Sequence, residues 1–125
     1  MPENGPRIII IDDDLDTRET ISCVLQSMDL ENFLAVNNGQ KGLEAIQAEK
    51  FDLIICDWVM PVMSGFDLLK KLQSEGATCK IPFIMVTAEA TPKDLKRAIR
   101  AGATDYVLKP FDLGLLQERI KKALS

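Results

Sequence analysis

Carboxylates stand at two places where short apolar runs of this sequence end. Asp12-Asp13-Asp14 follows Ile8–Ile11, and Asp57 follows Leu53–Cys56. Two further runs end on groups suited to anions: Thr87-Ala88 follows Pro82–Val86, and Lys109-Pro110 follows Thr104–Leu108. Like charges ~4 Å apart repel by about 4 kcal/mol at an effective dielectric near 20, so several acids sharing one volume call for a cation. The chain contains no His, and no Cys stands among these groups. Oxygen donors alone select a hard ion, Mg²⁺ or Mn²⁺, over zinc. Lys109 offsets one charge, and a lysine beside a metal leaves room for an incoming anion. A phosphoryl group suits that space, because metal and lysine neutralise its oxygens while a carboxylate attacks phosphorus in line.

Such convergence requires elements that bring distant residues to one place. The strand candidates are Arg7–Ile11, Phe33–Val36, Asp52–Cys56, Pro82–Val86 and Thr104–Leu108. Ile8–Ile11 and Leu53–Cys56 are continuously apolar, the pattern of strands covered on both faces. Between the runs lie amphipathic stretches: Ile21, Val24, Leu25 and Met28 share one helix face, as do Leu95, Ala98 and Ile99, and Leu116, Ile120, Ala123 and Leu124. Thr91-Pro92-Lys93-Asp94 offers a hydroxyl at N-cap, proline at N1 and an acid at N3. Ser64 and Asp112 are further N-cap candidates, and Gly76 and Gly102 stand where helices should stop. Five alternations of strand and helix predict an α/β fold: a five-stranded parallel sheet with helices on both faces, in the doubly wound, flavodoxin-like order 2-1-3-4-5. Ligands of such sheets bind beyond the carboxyl ends of the strands, where the order reverses. The ends of strands one and three are then neighbours, and their carboxylates converge.

At 125 residues the chain fits one domain able to bury a core without staples. With 46% hydrophobic and 27% charged residues it reads as globular, and a net charge of −4 argues against nucleic-acid binding through bulk charge. Cys23, Cys56 and Cys79 form no C-x-x-C pair and leave an odd count, which predicts free thiols in a reducing compartment. No apolar run approaches the ~18 residues of a membrane span, and the first residues lack a signal peptide's pattern. A cytoplasmic protein is expected, with residues 1–6 a flexible tail, residues 7–125 one domain, and no attached output module.

The run Ile8–Ile11 with Asp12-Asp13-Asp14, the stretch Asp57-Trp58-Val59-Met60-Pro61-Val62-Met63-Ser64-Gly65, Val86-Thr87-Ala88, and Tyr106-Val107-Leu108-Lys109-Pro110-Phe111 together resemble a response-regulator receiver domain of the CheY-like kind. The resemblance spans about Arg7 to Leu124, with four motifs in order, each after a predicted strand. The predicted strand order is itself the known order of chemotaxis receivers. The resemblance implies a phosphorylation-switched signalling protein of a His-to-Asp phosphorelay. Asp57 would be the phosphoacceptor, and Asp13 would bind Mg²⁺ directly, Asp12 mainly through water, with the Val59 backbone carbonyl as another metal contact. Lys109 would bind the phosphoryl oxygens, Thr87 would move to hydrogen-bond them, and Tyr106 would swing inward. Lys109-Pro110 would be a cis peptide, and Asp14 carries no implied role. Val59 and Glu89 occupy positions that tune phosphate lifetime, and an apolar Val59 offers the attacking water no side-chain hydrogen bond. The donor would be a histidine kinase or phosphotransfer protein, since this chain has no His of its own.

Plainer readings stand beside these. Asp caps helices readily, so the triplet alone suits an exposed turn. Thr87 suits a strand end and Tyr106 ordinary packing. Met60 and Met63 read as gap-fillers, Pro61 and Gly65 as loop-shaping residues, and Cys56 as inert core. Lys93, Lys96, Arg97 and Arg100 fall at i, i+3, i+4 and i+7, a basic stripe opposite the apolar face of the fourth helix. That stripe suits a solvated face or, with Tyr106, a docking surface on the helix 4, strand 5 and helix 5 side for an acidic downstream protein. A different class of function, a small Mg²⁺-dependent aspartate-nucleophile phosphatase of the haloacid-dehalogenase type, needs an Asp-x-Asp-x-Thr run. Counting from Asp12 gives Asp16 at the last position, and counting from Asp14 gives Arg18. Neither nucleotide-binding glycine loop is present.

Overall fold

The computed structural model describes residues 5–88 and 91–125. Strands β1 (Ile8–Ile11), β2 (Phe33–Val36), β3 (Leu53–Asp57), β4 (Phe83–Thr87) and β5 (Asp105–Leu108) alternate with helices α1 (Leu15–Ser27), α2 (Gly39–Ala48), α3 (Gly65–Gln73), α4 (Pro92–Ala101) and α5 (Leu113–Leu124). All strand pairs are parallel, in the order β2-β1-β3-β4-β5. This is the expected doubly wound fold. The three central strands are buried along their whole length, whereas the edge strands β2 and β5 are partly open.

Alternating residues of the central strands feed two cores. Ile9, Ile11, Ile54, Cys56 and Met85 pack with Leu43, Ile46, Leu68, Leu69, Leu72 and Ala98 of α2, α3 and α4. Ile8, Ile10, Leu53, Ile55, Ile84 and Val86 pack with Ile21, Val24, Leu25, Leu116 and Ile120 of α1 and α5. Continuous apolar runs are therefore needed, because both faces of each central strand are covered. Cys56 lies in the first core and Met60 is buried, as read from the sequence, while Met63 packs against that core.

Four details differ from the expected boundaries. Asp57 and Thr87 are the last residues of β3 and β4 rather than the first residues after them. The ladder continues past them: Trp58 donates its N–H to the Val86 carbonyl at 3.0 Å, and Lys109 donates to the Thr87 carbonyl at 2.8 Å. At the other end Arg7, Asp52, Pro82 and Thr104 precede their strands. Gly102 ends α4 in the left-handed region at φ 118°, but Gly76 ends nothing: α3 stops at Ser74, whose N–H turns back to the helix carbonyls. The apolar face of α4 is buried only at Ala98, and Ile99 is exposed, lining an open groove with Tyr106 of the edge strand β5.

Candidate functional site

Each charged group is held at its strand end by local chemistry. Asp12 follows β1 and is fully buried. Its Oδ1 accepts the Asp14 N–H at 2.9 Å, its Oδ2 accepts from Lys109 Nζ at 3.0 Å, and its carbonyl accepts from Arg18 Nη1 at 2.8 Å. Asp13 is exposed, and Asp14 caps α1, accepting from both the backbone and the hydroxyl of Thr17. Those Thr17 bonds hold the Asp14 carboxyl below its ordinary range. Asp57 is 6% exposed, with its Oδ1 3.4 Å from the Val59 N–H and its Oδ2 3.6 Å from Lys109 Nζ. The start of α3 closes tightly beneath it: Gly65 donates to the Trp58 carbonyl at 2.9 Å, and a Cβ on Gly65 would collide with the Asp57 carbonyl. Lys109 reaches both acids from the end of β5, followed by a cis peptide to Pro110.

One carboxylate oxygen from each of Asp12, Asp13 and Asp57 lies within 4.8 Å of the others. Burial, and then the Asp12 charge, raise the Asp57 pKa to about 6, against the opposing pull of Lys109 and the Val59 N–H. Burial alone would lower the Lys109 pKa, but its hydrogen bond to Asp12 and the charges of both acids outweigh that and raise it. The Cys56 thiol is pushed well up by burial and by the neighbouring acids, which suits an unreactive core residue. Three carboxylates thus face one ammonium, with oxygen as the donor atom throughout. That donor set fits a hard divalent cation, which Asp12, Asp13 and Asp57 would hold.

The remaining sequence-derived residues divide. Thr87 is buried at the end of β4, and Asp57 pairs in register with Val86 just before it. The Val59 side chain is exposed, while its backbone stays beside Asp57. Tyr106 is not in the acid cluster: it lines an open groove of about 450 Å³ with Pro92, Leu95, Lys96, Ile99 and Arg100. Lys93 is exposed, and Arg97 stacks on Phe66 of α3 instead of lining that groove. Glu89 lies outside the described residues. Arg18, which braces the Asp12 carbonyl, went unread as a site residue, although a cation one turn into the helix capped by Asp14 is a usable signal.

Comparison with known proteins gives this geometry a lineage. The response regulator receiver domain family matches residues 8–121. The chain belongs to that family. Among curated receivers, it is 34% identical to the chemotaxis protein CheY of Pseudomonas aeruginosa over 93% of this chain and 94% of that one. It is 32% identical to the chemotaxis protein CheY-3 of Vibrio cholerae over 93% and 89%. A putative response regulator from Chloroflexus aurantiacus superposes with TM-score 0.89 at 30% identity, covering 95% of this chain and 97% of that one. The receiver domain of a Pseudomonas aeruginosa sensor histidine kinase, with a magnesium ion coordinated in its active-site cleft, shares the fold (TM-score 0.86, 24% identity, 96% and 98% covered). This membership leaves the phosphatase alternative without support. No described helix is long and apolar enough to cross a membrane.

Proposed function

We propose that this receiver is a phosphorylation switch in which Asp57 accepts a phosphoryl group from a phosphohistidine of a histidine kinase or phosphotransfer protein. Residues 7–125 are its working body, and it acts in the cytoplasm; residues 1–4 of the expected N-terminal tail lie outside the described residues. The observation carrying this reading is the buried Asp57 carboxylate, 3.6 Å from Lys109 Nζ and clustered with Asp12 and Asp13. An Asp57 oxygen attacks phosphorus, a new O–P bond forms, and the donor's N–P bond breaks with its electron pair returning to the imidazole. Lys109 balances the charge on the phosphoryl oxygens. Mg²⁺ held by Asp12, Asp13, Asp57 and the Val59 carbonyl would supply further neutralisation of those oxygens.

The acyl phosphate then stays on the protein instead of being turned over from a substrate pool, and slow attack by water resets the switch. Thr87 hydrogen-bonds the phosphoryl group and Tyr106 follows, changing the surface of α4, β5 and α5. That surface carries Lys96 and Arg100 in the groove that Tyr106 lines and Lys93 exposed on the same helix, while Arg97 turns to Phe66, and it suits an acidic protein partner. Acetyl phosphate with Mg²⁺ should add one phosphoryl mass to the wild-type chain and none to Asp57→Asn, read by intact mass spectrometry. Labelling that persists in the variant would mean that another residue is the acceptor.

A further inference from the structure

The basic stripe of α4 divides. Lys96 and Arg100 line the groove beside Tyr106, but the Arg97 guanidinium carbon lies 4.6 Å from the centroid of the Phe66 ring in α3. Phe66 in turn meets Trp58 edge to face, with centroids 5.2 Å apart and planes at 68°. Trp58 stands between Asp57 and Val59. Its own N–H and carbonyl are fixed to Val86 and Gly65, and the next N–H, that of Val59, points at the Asp57 carboxylate. A cation of α4 therefore reaches, through two rings, the peptide that faces the proposed acceptor. Lys70 also lies 5.4 Å from the Phe66 centroid, but it belongs to α3 itself and cannot tie that helix to α4.

We infer that Arg97 is a positioning residue for phosphoryl acceptance: by stacking on Phe66 it holds Trp58, and with it the Val59 N–H, in place beside Asp57. The inference rests on Asp57 being the acceptor. It assigns Arg97 a task separate from the docking of a partner, which falls to Lys93, Lys96 and Arg100. A guanidinium on an aromatic face is a modest contact at an exposed site, so its removal should be felt as a fold-change and not as loss of folding.

The test uses the full chain with two readouts. Acetyl phosphate labelling reports on the acceptor, and emission from Trp58, the chain's single tryptophan, reports on the stack with or without Mg²⁺. Arg97→Gln should slow labelling about two- to fivefold, the range of one exposed cation–π contact, and shift Trp58 emission. Arg97→Lys should restore part of both, and Lys70→Gln should change labelling less than Arg97→Gln. In a Phe66→Leu background Arg97→Gln should add nothing, whereas in Phe66→Tyr, which keeps a ring, its effect should remain. Unchanged labelling and emission in Arg97→Gln, or an undiminished effect in Phe66→Leu, would overturn the inference. Failure of the wild type to label would instead remove the acceptor assignment, and this inference with it.

Discussion

The two ends of the sheet both gather charge, and they treat it in opposite ways. At the amino ends of the strands Arg7 pairs with Glu49 at 3.1 Å, donates from Nη1 to Asn32 at 2.7 Å, and lies over the Phe51 ring. Its own backbone N–H donates to the Asp52 carboxylate at 2.8 Å. Glu49 and Asp52 remain exposed, so water and salt screen the Arg7–Glu49 pair, although Arg7 Nε is buried without a hydrogen-bond partner among the described residues. At the carboxyl ends Asp12 and Asp57 are buried, one lysine serves both, and burial pushes one of them well above its ordinary pKa. The first arrangement closes the bottom of the fold. The second leaves charge unmet where water cannot relieve it, as a site that awaits ligands does.

Lys109→Met should give the largest effect and thus the sharpest test of this contrast. It leaves the fully buried Asp12 beside Asp57 with no cation paired to either carboxylate among the described residues, since Arg18 holds only the Asp12 carbonyl. Removing one partner of a buried pair typically costs 3–5 kcal/mol. Lys109 serves two acids, but Asp57 already binds a proton near pH 6 and can relax by taking it up, so a loss of about 2–3 kcal/mol in urea unfolding at pH 7 is expected. Labelling by acetyl phosphate should fall as well. A loss below ~0.5 kcal/mol would put this lysine in the same class as a surface pair.

Asp57→Asn should act in the opposite direction. The folded-state pKa of about 6 lies above the ordinary 3.8, so between about pH 4 and 7 the folded chain binds more protons than the unfolded one. Stability of the metal-free protein therefore falls as pH rises through that window. The Asn variant, lacking the charge, should be more stable at pH 7 by ~1–3 kcal/mol. Its urea midpoint should vary less with pH than the wild type's, and Mg²⁺ should raise the wild-type midpoint more than the variant's. A variant no more stable than the wild type at pH 7 would mean that this end of the sheet holds no unmet charge.

The parts of this picture readable from sequence are those encoded locally. Ile8–Ile11 and Leu53–Cys56 announce buried strands by composition, and Thr91, Pro92 and Asp94 announce a helix start by the order of their hydrogen-bonding groups, which form a capping box. The acids at the ends of β1 and β3 could be read together because the strand order makes those ends neighbours. What escaped depends on contacts between distant segments. Nothing near residue 97 says that its side chain will leave the stripe for a ring 31 positions earlier in the chain. The exposure of Ile99 likewise depends on the open groove between α4 and Tyr106 of β5, which its own periodicity does not record. The one-residue shift at Asp57 and Thr87 has the same origin, since a strand ends where its neighbour stops offering carbonyls.

The smallest effect is expected at the other end of the sheet. Arg7→Gln keeps the backbone N–H that Asp52 accepts and removes the rest: the Glu49 pair, the Asn32 hydrogen bond and the contact with Phe51. The ion pair is half open to solvent, with side-chain exposures of 29% and 52%, and exposed pairs contribute ~0–1 kcal/mol. A cation over an accessible ring adds about 0.5–1 kcal/mol. The expected loss is therefore about 1 kcal/mol in urea unfolding, smaller in 0.5 M salt because screening has already weakened the Glu49 pair. Acetyl phosphate labelling at the far end of the strands should be unchanged. A loss as large as that of Lys109→Met, or one indifferent to salt, would mean that Arg7 is a buried structural charge. The unmet charge at Asp57 could then no longer be attributed to a difference in solvent access between the two ends.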